Sequence, residues 1–311
     1  MSDKKTGLQR LVVTVPVADL RLKPIEARAA YAHDDLQESQ LLYNEILLCR
    51  GEERDWYYVE AGEQLKHVGG NTWQGYPGWV KKQCVSPIDV APDYNGVVSS
   101  RIGRLLAEPK ESAPPLLFLS VGTRITLGEK HGTYYEVLAR GSRPAWISAS
   151  EVSLRGSTNE GRDLRDPIVR TASLFVGAPY LWGGRSMFMA DLSATITGVD
   201  CSGLTNLAYR AGNIDLPRDA HDQWSATKQV QAASLKPGDL VFLSKEDQAD
   251  RIHHVMLYTG NERFIEAYVT GTTARETSFK ERLGVTLAML ERKNVVLNGQ
   301  RIYFGCAEGL G

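Results

Sequence analysis

Along the first half of the chain, apolar and polar positions alternate in short runs broken by Gly, Pro and Asn. Leu11–Val17, with Val13, Val15 and Val17 on one face, predicts a first strand. The same pattern predicts strands over Leu41–Cys49, Trp56–Ala61, Gly78–Gln83, Gly96–Leu105, Arg124–Leu127, Tyr134–Ala139 and Trp146–Ser148. Short strands at close spacing predict small all-β barrels. The pattern also repeats faintly. Ile46–Leu48, Trp56–Val59 and Gly78–Val80 are answered by Ile125–Leu127, Tyr134–Val137 and Ala145–Ile147. Each copy is a strand, an aromatic-rich strand, and a strand pairing an aromatic with a β-branched residue. Ala107–Pro115 is a polar, proline-rich loop inside the second copy rather than a linker.

The periodicity changes after Arg155. Gly156–Gly161 is a turn-rich connector. Asp163–Val176 has helical spacing, with Ile168, Ala172 and Phe175 on one face and acidic residues near its start. A second helix is predicted from Cys201, where Leu204, Leu207, Ala208 and Ala211 recur and Gly212-Asn213 stops it. Strands follow at Asp239–Leu243, His253–Thr259, Arg263–Ala267 and Arg301–Phe304. Helices before strands predict an α+β unit. The expected organisation is therefore two small β units, residues 8–94 and 95–155, ahead of an α+β unit at 156–311.

Length and composition agree with a multidomain globular chain. The 311 residues are 42% apolar and 23% charged, which excludes disordered and fibrous classes. A formal net charge of −1 gives no electrostatic footprint for nucleic acid or an anionic membrane. No uninterrupted apolar run reaches the ~18 residues of a membrane span. The basic N-terminus is followed by Thr14, Pro16 and Asp19 rather than a cleavage site, so a strand is predicted there instead of a signal peptide. A cytoplasmic location is expected unless a leader has been removed. Four cysteines, at 49, 84, 201 and 306, are too scattered for a disulfide framework. Only a Cys49–Cys84 pair stays open, for an exported protein. No C-x-x-C pair, P-loop or dinucleotide glycine pattern is present, so neither a metal nor an organic cofactor is expected.

The most informative string is Val199-Asp200-Cys201-Ser202-Gly203, at a predicted helix start. Unpaired N–H groups and the helix dipole favour the thiolate there, while the Asp200 carboxylate opposes it. An imidazolium would settle the balance. Arg251–Gly260 offers His253 and His254 on a strand, where neighbours face opposite ways, and periodicity alone does not choose between them. A helix-start cysteine with a strand histidine is the arrangement of a cysteine nucleophile and its base.

The wider pattern carries a resemblance. Pro179–Gly184 (PYLWGG), Asp200–Gly203 (DCSG), Leu216–Ala220 (LPRDA), Leu235–Phe242 (LKPGDLVF) and His254-Val255 through Tyr258-Thr259-Gly260 match, in order, the blocks of NlpC/P60 cysteine peptidases. The first half, above all Gly75-Tyr76-Pro77-Gly78-Trp79-Val80, resembles the bacterial SH3-like modules that flank cell-wall hydrolases. Together they resemble the YkfC-type subgroup, the γ-D-glutamyl-L-diamino-acid endopeptidases (dipeptidyl-peptidase VI). The resemblance implies two SH3-like barrels followed by a papain-like α+β domain. It also implies Cys201 as nucleophile, His254 as base, and Tyr180 as an oxyanion donor beside the Cys201 backbone N–H. The family's third polar residue falls on Glu266, where His, Asn or Gln is usual. A carboxylate there should make His254 more basic than an amide would.

The subgroup resemblance further implies that Asp200 and Ser202 contact the free ammonium of an N-terminal L-Ala and that Tyr76 closes the pocket. The expected substrate is then a murein peptide, cleaved between γ-D-Glu and L-Lys or diaminopimelate through a thioester. Glu38 and Glu45 also stand as candidates for the cleft. Arg185 and Arg218 are candidates for substrate carboxylates, with a surface salt bridge the commoner role for either. His221 is expected to be solvated, and Trp73, Trp79 and Trp146 are either core aromatics or module surface. Met187–Gly198, longer than the usual connector, is expected as a rim loop over the cleft. Two alternatives remain: a non-catalytic cell-wall-binding protein, and a thiol acyltransferase or amidase on the same fold.

Overall fold

The computed structural model describes residues 8–26, 31–138, 144–155, 163–291, 296–297 and 299–310. The connector at 156–161 therefore lies outside the described residues.

The first unit is one antiparallel seven-stranded sheet, built from β1 (Arg10–Val13), β2 (Val17–Arg21), β3 (Gln37–Leu42), β4 (Ile46–Glu53), β5 (Trp56–His67), β6 (Trp73–Lys81) and β7 (Val85–Ile88). Their order is β3-β2-β6-β5-β4-β1-β7. The predicted strand over Leu11–Val17 is broken in two. Pro16 has no N–H for a ladder, so β1 pairs with β4 and β7 while β2 turns to β3 and β6. Inside lie Leu11, Val13, Leu20, Leu41, Leu47, Val59, Ala61 and Val80. Each of the Leu and Val side chains contributes about 1.5–3 kcal/mol by leaving water, before the entropy of ordering it. Trp73, Trp79 and Trp146 are only half-buried and pair on the surface with His67, Tyr58 and His131.

The second unit splits into two sheets. β9 (Ile102–Leu106), β10 (Pro115–Ser120), β12 (Leu127–His131), β13 (Tyr134–Val137) and β14 (Ala145–Ser148) form one; β8 (Gly96–Val98), β11 (Arg124–Ile125) and β15 (Val152–Leu154) form the other. The proline-rich loop joins β9 to β10.

In the third unit, α1 (Arg165–Ser173), α2 (Cys201–Ala211) and α3 (Ala220–Ser225) precede the sheet. The sheet comprises β16 (Thr227–Val230), β17 (Leu240–Ser244), β18 (Ile252–Gly260), β19 (Arg263–Glu266) and β20 (Arg275–Ser278). After α4 (Phe279–Leu283) and α5 (Leu287–Leu290) come β21 (Val296–Leu297) and β22 (Gln300–Ala307). The order is β16-β22-β17-β18-β19-β20, with β21 on β22. Alternation works as period two requires: Leu240 and Phe242 join the core beneath α1 and α2, while Val241 and Leu243 pack toward α5.

The three units share a buried seam. Val17, Leu42 and Val121 belong to the same core as Leu204 and Leu207 of α2. Arg185 pairs with Glu45 at 2.6 Å, and Arg210 pairs with Glu63 at 2.6 Å, which also holds Arg124 at 3.1 Å. A buried network of this kind costs desolvation, so its value lies in docking geometry more than in net stability.

Candidate active site

Asp200 caps α2: its Oδ1 accepts from the Gly203 N–H at 2.7 Å. Gly203 is required because a Cβ there would lie 2.1 Å from the Gly184 carbonyl oxygen. Gly183 has φ +68° and lies against the Gln37 backbone, where a Cβ would come within 2.6 Å. The Gly-Gly turn and the Asp-Cys-Ser-Gly string thus pack backbone to backbone, and this fixes Cys201 at the helix start.

The ladder between β17 and β18 slips between Leu243 and Ser244, facing His254 and Ile252. Ile252, Val255 and Leu257 all pack in the core beneath the helices, a spacing strict alternation forbids. The bulge absorbs the extra residue, which is why periodicity could not choose between the two histidines. His253 is exposed and its Nε2 meets the Gln300 amide at 3.2 Å, whereas His254 is 4% exposed. Leu257 pairs with Ile265, so Glu266, one residue on, shares the face of His254.

His254 Nε2 donates to Glu266 Oε2 at 2.9 Å, which leaves Nδ1 for the hydrogen bond with the Cys201 thiol. Burial alone would push the imidazolium pKa down. The hydrogen bonds to Cys201 and Glu266, together with their charges, instead raise it to about 9. Burial opposes ionisation of Glu266 too, but His254, Arg275 and Arg282 hold its carboxyl below the usual range. The result is a thiol at a helix start, an imidazole beside it, and an ionised carboxylate behind the imidazole. Tyr180 is buried beside this group. Burial first, then the charges of Asp200 and Cys201, push its hydroxyl up, so it stays a donor.

Other candidates are placed differently from expectation. The Asp200 carboxylate is committed to Arg218, at 2.7 Å from Nη2 and 3.1 Å from Nη1, and Ser202 Oγ lies 2.9 Å from Nη1. Arg185 and Arg218 are not surface bridges: both are fully buried because the first β unit docks over them. The Arg218 backbone N–H reaches Leu65 O at 3.0 Å and its Nε reaches Ser39 Oγ at 2.7 Å. Glu45 is a partner of Arg185 rather than a cleft residue. His221 accepts from the Ile252 N–H at 3.3 Å. Met187–Gly198 docks on the first unit: Gln40 Nε2 donates to Ile196 O at 2.6 Å, and Ser193–Ile196 line a cavity with Val17 and Trp56. All four cysteines are free thiols. Among the described residues, no group of three or more His, Cys, Asp or Glu side chains forms a metal site.

Tyr76 is buried, and its hydroxyl meets two carboxylates: Asp219 Oδ2 at 3.1 Å and Glu38 Oε2 at 3.2 Å. One hydroxyl proton serves one acceptor at a time, so the cluster is left short of donors. Burial, Asp219 and Glu38 push the phenol up, and burial raises Asp219 against the pull of Arg218 and Lys66. Asp219 stands inside the Leu-Pro-Arg-Asp-Ala string, but no local signal there marks it as a partner of Tyr76. Arg275 and Arg282 lie beyond every motif, and no local signal marks them.

Residues 177–286 match the NlpC/P60 family. The chain is 30% identical over 278 residues to a γ-D-glutamyl-L-lysine dipeptidyl-peptidase of Bacillus subtilis (strain 168), covering 87% of each. It is 30% identical over 235 residues to a γ-D-glutamyl-L-lysine dipeptidyl-peptidase of Bacillus cereus, covering 74% of this chain and 67% of that protein. A crystal structure of an NlpC/P60 family protein from Bacillus cereus superposes with a TM-score of 0.73 at 23% identity, covering 87% of this chain and 94% of the other, so the two share a fold. A largely β N-terminal region before the α+β unit is thus common to both. The chain belongs to the NlpC/P60 family and is a cysteine peptidase of the cell-wall class.

Proposed function

We propose that the chain cleaves the bond between γ-D-Glu and an L-diamino acid, L-Lys or diaminopimelate, in murein peptides that begin with a free L-Ala. Residues 8–94 and 95–155 act as two SH3-like modules and 156–311 as the catalytic domain. Cys201, as thiolate, attacks the γ-carbonyl carbon. The Cys201 backbone N–H and the Tyr180 hydroxyl stabilise the oxyanion. His254 protonates the departing amine as the C–N bond breaks, leaving a thioester. His254 then takes a proton from water, whose oxygen bonds to the carbonyl carbon, and the C–S bond breaks to return the thiolate. Glu266 fixes the tautomer of His254 throughout.

The donor-poor Tyr76 cluster carries the substrate reading. Two carboxylates around one hydroxyl are the acceptor set for an ammonium. Asp200 and Ser202, already held by Arg218, act one step back by fixing that arginine, and Asp219 and Glu38 take the amine. The relatives named γ-D-glutamyl-L-lysine dipeptidyl-peptidases support the same substrate class.

The test is to incubate the protein with L-Ala-γ-D-Glu-L-Lys and with its N-acetylated form, following products by mass spectrometry. Cleavage of the free-amine peptide alone, lost in Cys201→Ala, is expected. Equal cleavage of both would overturn the amine pocket.

A further inference from the structure

The two oxygens of the Glu266 carboxylate are used unequally. Oε2 takes the His254 proton, while Oε1 receives Arg275 Nη2 at 2.8 Å, Arg275 Nε at 3.1 Å and Arg282 Nε at 3.2 Å. The side chain of Glu266 is fully buried, out of reach of bulk solvent. Arg275 stands on β20 directly across from Glu266, and Arg282 comes from α4. Both guanidinium groups lie against the Tyr268 ring, 5.9 and 4.1 Å from its centre, and Tyr268 meets the His254 imidazole edge-on at 5.9 Å. Two cations from separate elements thus converge on the one oxygen that His254 does not use.

We propose that Arg275 and Arg282 are positioning residues that partly neutralise Glu266, so that a glutamate can orient His254 without holding its imidazolium too tightly to release a proton. This rests on the reading of Cys201, His254 and Glu266 above.

The two halves of the reaction make opposite demands. Acylation is helped by an imidazolium beside a thiolate, and a carboxylate behind the ring favours it. In the thioester the sulfur carries no charge, and His254 must be neutral at Nδ1 to accept a proton from water. Glu266 is then the main anion left in contact with the ring, and an opposite charge at such range is worth about one to three pKa units. The remaining groups facing His254 are His253 on its own strand, Tyr268 after β19 and the now uncharged Cys201 sulfur. Drawing charge onto the far oxygen is the available way to ease deacylation while keeping the 2.9 Å contact. An amide would need no such arrangement.

The experiment compares wild type with Arg275→Gln, Arg275→Lys and the Arg275→Gln/Arg282→Gln double variant, each in the full chain. The Arg275 side chain is 49% exposed, so its substitution leaves the core packing in place. Iodoacetamide serves as the thiolate probe, with modification at Cys201 followed by mass spectrometry against pH. The alkaline limb, which titrates the imidazolium, should move up by about one unit in the double variant. With L-Ala-γ-D-Glu-L-Lys at pH 7, kcat should fall about tenfold for that shift. KM should fall with it, so that kcat/KM changes less than about twofold and thioester accumulates. Arg275→Lys should recover at least part of both effects. A folded Arg275→Gln and double variant with wild-type limb and kcat would show that the arginines only brace the structure. Should wild-type Cys201 show no pH-dependent alkylation, the nucleophile reading itself would fall, and the clamp with it.

Discussion

The cluster around His254 and the cluster around Tyr76 hold charge in opposite proportions. At the triad end, one carboxylate faces an imidazole and two guanidinium groups. At the Tyr76 end, two carboxylates meet one phenol, with Arg218 already paired to Asp200. Buried charge must be compensated. The end at His254 and Glu266 is compensated from within the protein. The Tyr76 end has Lys66 and the already paired Arg218 nearby, and in the function proposed above the substrate's ammonium is the cation that joins them.

The sharpest break in this comparison comes from the machinery. Cys201→Ala and His254→Ala should each lower kcat/KM for L-Ala-γ-D-Glu-L-Lys by at least about 10³-fold. Their far-ultraviolet circular dichroism should stay unchanged. Activity surviving in either would move the nucleophile elsewhere.

Next in size is the amine end. Asp219→Asn removes one charge-assisted partner, worth about 1.5–3 kcal/mol. Turnover of the free-amine peptide at low concentration should fall about 10–150-fold. The N-acetylated peptide should be no worse a substrate than before, so the preference between the two narrows. A loss equal for both peptides would mean that Asp219 holds the fold and not the amine.

Glu266→Gln has a smaller effect but a defined pH signature. The folded imidazolium pKa of about 9 lies above its ordinary 6.5. A raised folded pKa means that the protonated ring adds stability fully below 6.5 and loses it as pH rises through about 9. Wild-type melting temperature should therefore drop between pH 6.5 and 9, and Glu266→Gln should flatten that slope. Turnover at pH 7 should fall only several-fold, since an amide still orients the ring. Parallel slopes for the two proteins would remove Glu266 as the anchor of the imidazolium.

The two ends also differ in how far the sequence reveals them. Cys201 and His254 sit on elements whose local pattern is strong: a capped helix start and a β run. Glu266 follows from strand alternation, and only the bulge near His254 hides which histidine faces it. The Tyr76 end joins residues 143 positions apart, Tyr76 and Asp219, and exists only because the first β unit docks on the third. Burial by docking is invisible to local periodicity, which is why Arg185 and Arg218 looked like surface residues. The arginines on Glu266 are hidden in the sequence for a related reason. Arg275 lies on an edge strand and Arg282 on a short helix, where cations are ordinary. Only the register of β19 with β20 sets Arg275 across from a buried carboxylate, and only the placement of α4 brings Arg282 to it.

The last and smallest effect separates the two ends by its sign. Lys66 Nζ lies 4.3 Å from the centre of the Tyr76 ring, and its charge pulls down the pKa of Asp219. If the pocket is built for an ammonium, Lys66 is a competitor for the same field, partly exposed and so worth only about 0.2–1 kcal/mol. Lys66→Met should therefore lower KM for L-Ala-γ-D-Glu-L-Lys by about 1.5–5-fold, leave kcat alone, and leave the N-acetylated peptide unaffected. Removing a cation at the triad end, by contrast, is expected to slow turnover. A rise in KM on removing Lys66 would mean that the pocket holds an anionic part of the substrate. The cluster of Tyr76, Asp219 and Glu38 would then need another explanation.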